Sequence, residues 1–384
     1  MSYQSIEEAK ASIERSKRDA HEETMWGKPA RDIITGIGNN RGITPVRAIW
    51  ELVQNARDVV VEGNYAEIIF TRRKNEFIFQ HDGIPFTNKT IEALILQTSS
   101  KVSNNSVQVG QYGTGFLTTH LFGLSFRLSA PLRVSDDFLI FYNISDFEID
   151  RSATEKENMR DKLKEQWKET QKWGENFEDI TSHPQKHTIF KYIHKYDIER
   201  DNVRIAFDKA PAMVPYVLTL NTNVGTIAFV DDVKFDIVRF EKTDKTFEYV
   251  EALTTGIIYK TIIKKVIVNK EGREESKDFF VYTMNSNEQT MDEPRRSKVV
   301  VILPLTEVDG KLKVVHFEDD LPQLYIYLPL LGSEQWGLNF MLHSSSFTCD
   351  KDSRDSLRLI GNGQNNDSQA ESNKALIALG ASMI

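Results

Sequence analysis

Little in this chain ties it to a membrane, an oxidising compartment or a polyanion. It holds a single cysteine, Cys349, so no intrachain disulfide can form and a reducing, cytoplasmic setting is expected. No apolar run approaches the ~18 residues of a membrane span. The N-terminal stretch MSYQSIEEAKASIERSKRDA is polar and mixed in charge, unlike a secretory leader. An excess of positive charge is also lacking. A formal net charge of -8 over 384 residues gives no global basic footprint, so any nucleic-acid contact has to be local. The glycine-rich stretch lacks the Gly-Lys-Ser/Thr of a P-loop and the βαβ setting of a dinucleotide fingerprint. His183, His187 and His194 lack metal-ligand spacing, so no metal-only site is expected there.

What is present centres on Thr44 to Val61, TPVRAIWELVQNARDVVV. Thr44 suits an N-cap and Pro45 the first helical position, and Ile49, Leu52, Val53, Ala56 and Val60 recur at helical spacing. The helix is therefore expected to be buried, yet Glu51, Asn55 and Asp58 project from one face of it. Such a row is either a solvated stripe or a polar line serving a ligand. Upstream, residues 5 to 24 read as an exposed charged helix, followed by a glycine-punctuated connector from Trp26 to Gly42.

Downstream, Tyr65 to Arg72 and Glu76 to Gln80 alternate as a hairpin ending in HDGIPFT. His81 and Asp82 thus sit at a strand end, Gly83 relaxes the backbone, and Pro85 is expected to stop further pairing. That arrangement is either a plain Asp-Gly turn or a place to read a ligand's hydrogen-bonding edge. Thr87 to Leu96 reads as a short helix. A polar loop carrying Ser99, Ser100 and Lys101 then leads to Gly110-Gln111-Tyr112-Gly113-Thr114-Gly115-Phe116 and a helix-like run to Phe122. Backbone amides at such a turn make an anion site, or the glycines are only a flexible linker. Leu124 to Ser129, Phe138 to Ile144 and His187 to His194 read as strands, the last led by Thr188, with a charged helical insertion over about 151–180. Beyond 201, helices broken at Pro211 and Pro215 give way to strands at 226–230, 234–241, 255–269, 278–285 and 298–304. Ser372 to Ile384 reads as the uncapped start of a further helix, an expected truncation.

Taken in order, Glu51-x-x-x-Asn55-x-x-Asp58, Asp82-Gly83, Gly110-x-x-Gly113-x-Gly115 and the strand led by Thr188 resemble the GHKL ATPases of the Bergerat fold. HDGIPF, the SSK tract and GQYGTGFLTTH look most like the sacsin-type and microrchidia-type members with chaperone-like heads. The resemblance covers about residues 40–195 and, more loosely, the second domain; it implies an α+β chain with an ATP-binding α/β sandwich at 43–200 and a β-rich transducer-like domain at 201–362, flanked by the helical arm at 1–42 and a linker with the start of a helix at 363–384. It implies a slow ATPase, dependent on Mg2+, that dimerises when ATP closes a lid. Asn55 would hold the metal and Glu51 would orient or deprotonate the attacking water. Asp58 would support the adenine pocket or brace the helix. Asp82 or His81 would read adenine with Thr188, and the run from Gly110 to Phe116, with Ser100 and Lys101, would wrap the triphosphate. Lys351 or Arg354 would reach the γ-phosphate. A nucleotide-gated scaffold with little turnover and a DNA-associated ATPase like MutL or the microrchidia proteins are the alternatives.

Overall fold

The computed structural model describes residues 3–97, 115–135, 139–286, 299–350, 356–360 and 367–384. The chain divides into two compact units, Met1–Val61 with Phe70–Ala206, and Glu62–Ile69 with Phe207–Ile384. Both combine helices with a largely antiparallel sheet, so the α+β class holds.

The first unit opens with α1 (Tyr3–Glu22), a π-turn at Glu23–Gly27 and α2 (Lys28–Asn39). The expected connector from Trp26 to Gly42 is therefore helical. Its glycines are not breaks: a Cβ on Gly36 would fall 2.5 Å from Leu117 Cδ1, so the bare backbone makes room for a neighbour. The organising helix, α3, spans Pro45–Asp58. Thr44 has the extended backbone of an N-cap but makes no side-chain capping bond.

Next come β1 (Ala66–Arg72), whose start belongs to the second unit, and β2 (Glu76–His81), then α4 (Asn88–Leu96), opened by a reciprocal Thr87–Thr90 capping box. After a 3₁₀ run at Gly115–Phe122 follow β3 (Ser125–Arg133), β4 (Phe141–Asp150), α5 (Lys156–Thr170), β5 (Ile180–Thr181) and β6 (Thr188–Ile193). Within this unit the strands lie side by side as β2-β6-β3-β4-β5. Alternation puts Phe77 and Phe79 of β2, Phe126 and Leu128 of β3, and Phe190 and Tyr192 of β6 on one buried face. Pro85 ends the hairpin's ladder, but pairing does not cease: Phe86 donates to Pro131 O at 2.8 Å and accepts from Arg133 N at 2.7 Å. The charged helix α5 is less solvated than its composition suggests. It buries Met159, Leu163 and Gln166, and Trp167 meets Trp26 at 6.4 Å.

The second unit continues through α6 (Asp197–Lys209), whose start lies in the first, and α7 (Val214–Leu220). Its strands are β7 (Val224–Asp231), β8 (Asp236–Ala252), β9 (Gly256–Val268), β10 (Glu274–Ser286) and β11 (Val300–Leu303). A small separate hairpin, β12 (Leu305–Val308) and β13 (Lys311–Val314), precedes β14 (Leu324–Ile326), β15 (Leu328–Pro329) and β16 (Met341–His343). The strand order is β7-β8-β9-β10-β11-β16-β14-β15, with β14 and β16 parallel. Helix α8 (Ser368–Ser382) is capped by Asp367, whose carboxylate accepts from the amides of Gln369 and Ala370. It is not an uncapped start: Leu376 and Met383 join Val299, Val301, Leu324 and Leu342 in this unit's core.

Candidate functional site

The site is assembled in the first unit from the ends of α3, β2 and β6 and from the 3₁₀ run. Along α3, Val46, Ile49, Leu52, Val53 and Ala56 are buried, whereas Glu51, Asn55 and Asp58 are half-buried. The polar line is thus neither sunk in the core nor fully solvated. Glu51 lies 3.6 Å from Arg47 Nε one turn earlier, and each side chain of the pair is only 12% accessible. Arg47 is a partner that the motif reading missed, although its spacing of four residues is visible in the sequence.

The C-terminus of α3 is locked onto the turn after β2. Ile84 N donates to Val59 O at 2.8 Å, which sets the residue after Asp58 against the Asp82-Gly83 turn. A Cβ on Gly83 would lie 2.5 Å from Val59 Cγ2 and 2.9 Å from Val59 O. Glycine is required here by close approach rather than by left-handed backbone.

At the strand ends His81 pairs with Thr188 in register, one row beyond Phe79 with Phe190. His81 is buried against Phe79 at 5.3 Å and Phe190 at 6.3 Å. Burial, assisted by nearby His187, pushes its pKa down to about 4, so the imidazole is neutral at physiological pH. Thr188 is also buried, and its hydroxyl has no hydrogen-bond partner among the described residues. A buried orphan hydroxyl is costly unless something else fills its valence. Asp82, by contrast, is half-buried.

Of the glycine run, Gly115 and Phe116 fall among the described residues. Gly115 is buried and its carbonyl accepts from Thr118 Oγ1 at 2.6 Å. Phe116 lies 5.7 Å from Phe190 and 5.8 Å from Phe126. The 3₁₀ run packs against α3, and Tyr192 OH donates to Thr119 Oγ1 at 2.7 Å. The structure thus brings together Glu51, Asn55, Asp58, His81, Asp82, Gly83, Gly115, Phe116 and Thr188 within one unit. Ser100, Lys101, Gly110, Gln111, Tyr112, Gly113, Thr114, Lys351 and Arg354 lie outside the described residues. Arg358, in the same C-terminal stretch as the last two, is ion-paired with Asp367.

No group of three or more His, Cys, Asp or Glu side chains able to hold a metal occurs among the described residues. The one carboxamide oxygen of half-buried Asn55 fits the small protein share that a magnesium ion takes when phosphates and water complete its shell.

No protein-family model matches this sequence, and no curated protein does. Among solved structures, the ATPase region of Saccharomyces cerevisiae topoisomerase II is similar at a TM-score of 0.29, with 13% identity, over 56% of this chain and 58% of that one. The same region bound to ICRF-187 (dexrazoxane) gives a TM-score of 0.28, again at 13% identity over 56% of this chain and 58% of that one. The match therefore spans well under two thirds of those chains. Likeness at this level says nothing of chemistry or partners. Among the described residues, no helix is long and apolar enough to cross a membrane.

Proposed function

We propose that the first unit is a magnesium-dependent ATPase site of the GHKL kind. The observation that carries this reading is the meeting of motifs far apart in sequence. The half-buried Glu51, Asn55 and Asp58 line ends against the Gly83 turn, His81 pairs in register with Thr188, whose hydroxyl has no partner among the described residues, and Phe116, just past Gly115, packs on Phe190 of the same sheet. An idle amphipathic helix needs none of these coincidences.

In this reading Asn55 offers its carboxamide oxygen to the cation, which neutralises phosphate charge when bound. Glu51, one turn earlier, orients the attacking water and takes its proton. Arg47 sets the direction of that carboxylate and is displaced, or shares it, when a triphosphate arrives. Asp58 braces the turn below the base, and the glycine run with Ser100 and Lys101 covers the phosphates. ATP-dependent pairing of two copies, with lid closure, belongs to the same proposal and is supported by the ordered motifs alone.

One observation favours a second reading. Because Arg47 occupies Glu51, the site could bind nucleotide with little turnover, as a nucleotide-gated module. Phosphate release separates the two. The ATPase reading expects Glu51→Gln to lower turnover by about 10²-fold or more while Mg-ATP still binds. Equal, background-level release by wild type and variant, with intact binding, would leave only the binding module.

A further inference from the structure

The base end of the pocket has a polarity of its own, and its bearing on ligand choice rests on the nucleotide reading of that site. The buried faces of β2 and β6 meet in three rows: Phe77 with Tyr192, Phe79 with Phe190, and His81 with Thr188. The first two are aromatic against aromatic. The third, at the strand ends, puts an imidazole beside a hydroxyl.

The tautomer of that imidazole is set by its neighbours. Gly83 N donates to His81 Nδ1 at 3.1 Å, and a ring nitrogen that accepts carries no proton. The proton of neutral His81 therefore sits on Nε2, which has no hydrogen-bond partner among the described residues. Beside it the Thr188 hydroxyl, also unpartnered, can donate or accept. A carboxylate in this row would only accept, and would match an exocyclic amine. Nε2–H only donates, so the sense of the contact is reversed. Asp82, half-buried and past the last strand residue, is not part of the row.

We propose that His81 is the base-reading residue and donates from Nε2 to an acceptor at the purine 6-position, so that the site takes 6-oxopurine triphosphates at least as well as ATP. Hypoxanthine and guanine present O6 to the Nε2–H and an N1–H to the Thr188 oxygen. Adenine presents its amine where the donor already is. The preference is set by which partner would be left unpaired.

The test is equilibrium binding of Mg-ITP, Mg-GTP, Mg-ATP and Mg-tripolyphosphate to the full chain. The wild type is expected to bind ITP and GTP within about threefold of ATP, or more tightly, and all three better than tripolyphosphate. His81→Asp replaces the donor with an acceptor and is expected to shift the ATP-to-ITP ratio toward ATP by at least about tenfold, roughly one hydrogen bond's worth. Where that variant does not fold, long-range ¹⁵N–¹H spectra of the wild type read the tautomer directly, and Nε2–H is expected. A wild type that prefers ATP by more than about tenfold, or a His81 protonated on Nδ1, overturns the proposal while leaving the ATPase reading intact. Tripolyphosphate binding as well as every nucleotide overturns it too, since the base would go unread. Failure of all four probes to bind would instead bring down the nucleotide reading on which it rests.

Discussion

Two histidines of the first unit are held neutral by burial, with consequences for stability. Burial pushes His81 down to about 4 and His120 down to about 3, the latter helped by the Arg151 charge. His120 also spends its Nδ1 on Gly123 O at 3.1 Å, leaving Nε2 buried without a partner among the described residues. In the unfolded chain both take up a proton near pH 6.5. With folded values below unfolded ones, the stabilisation is complete above about pH 6.5 and is lost as pH falls toward the folded values, because the unfolded state then binds more protons. At pH 5 each group contributes about 2 kcal/mol less than at pH 7.5. Carboxylates titrate in the same range, so the informative quantity is a difference. In denaturant unfolding at the two pH values, His81→Phe should lose about 2 kcal/mol less on acidification than wild type. An identical loss in both proteins would mean that His81 is reached by water in the folded state.

Among elements, the junction of α4, β4 and α5 depends on one side chain that no local pattern announces. Arg151, just past the end of β4, is fully buried. It donates to Ile95 O at 2.6 Å at the C-terminus of α4 and to Gln166 Oε1 at 2.9 Å on α5. Burial lowers its pKa to about 9, so it stays charged at neutral pH, against helix carbonyls that favour a cation. Its hydrogen-bond partners are neutral acceptors rather than a carboxylate. An apolar replacement therefore does not remove a matched pair; it strands the acceptors. Arg151→Met should cost the first unit about 3 kcal/mol. Tryptophan fluorescence in a urea titration reads this, because Trp26, Trp50, Trp167 and Trp173 all belong to that unit. A loss below about 0.5 kcal/mol would show that water or a side-chain rearrangement satisfies Ile95 and Gln166.

The same residue marks where sequence reading stops. The hairpin of β1 and β2, strands β6 and β9, the first part of β8 as far as Glu241 and most of β10 were legible because a two-residue period needs only neighbours along the chain; the rest of β8, to Ala252, was not. Helix α2 was not, since Gly36 and Gly38 look like breaks until Leu117 is seen to occupy the space beside Gly36. At the site, the α3 stripe and the glycine run were visible as motifs. The tautomer of His81 depends on a backbone amide two residues on, and the orphan state of Thr188 on the pairing of strands far apart in sequence. Spacing alone shows neither.

For the whole molecule, the two-unit division determines which experiment can locate the ligand. A chain of 384 residues in two compact units need not unfold in one step, and a single midpoint would then mix two equilibria. Hydrogen exchange avoids this because it reads each segment separately. A ligand that binds only the folded first unit, at about 100 times its dissociation constant, stabilises that unit by about 2.7 kcal/mol, and amides that exchange only through its unfolding slow by about 100-fold. With Mg-ATP present, protection should therefore rise in α3, β2 and β6, including the amides of Gly83 and Ile84 against His81 and Val59. The core strands β9, β10 and β11 of the second unit should not slow if no nucleotide binds that unit directly. Should the gain fall on those strands while α3 and β2 exchange as before, the Glu51, Asn55 and Asp58 line would be a solvated stripe after all, and the nucleotide would have its site elsewhere.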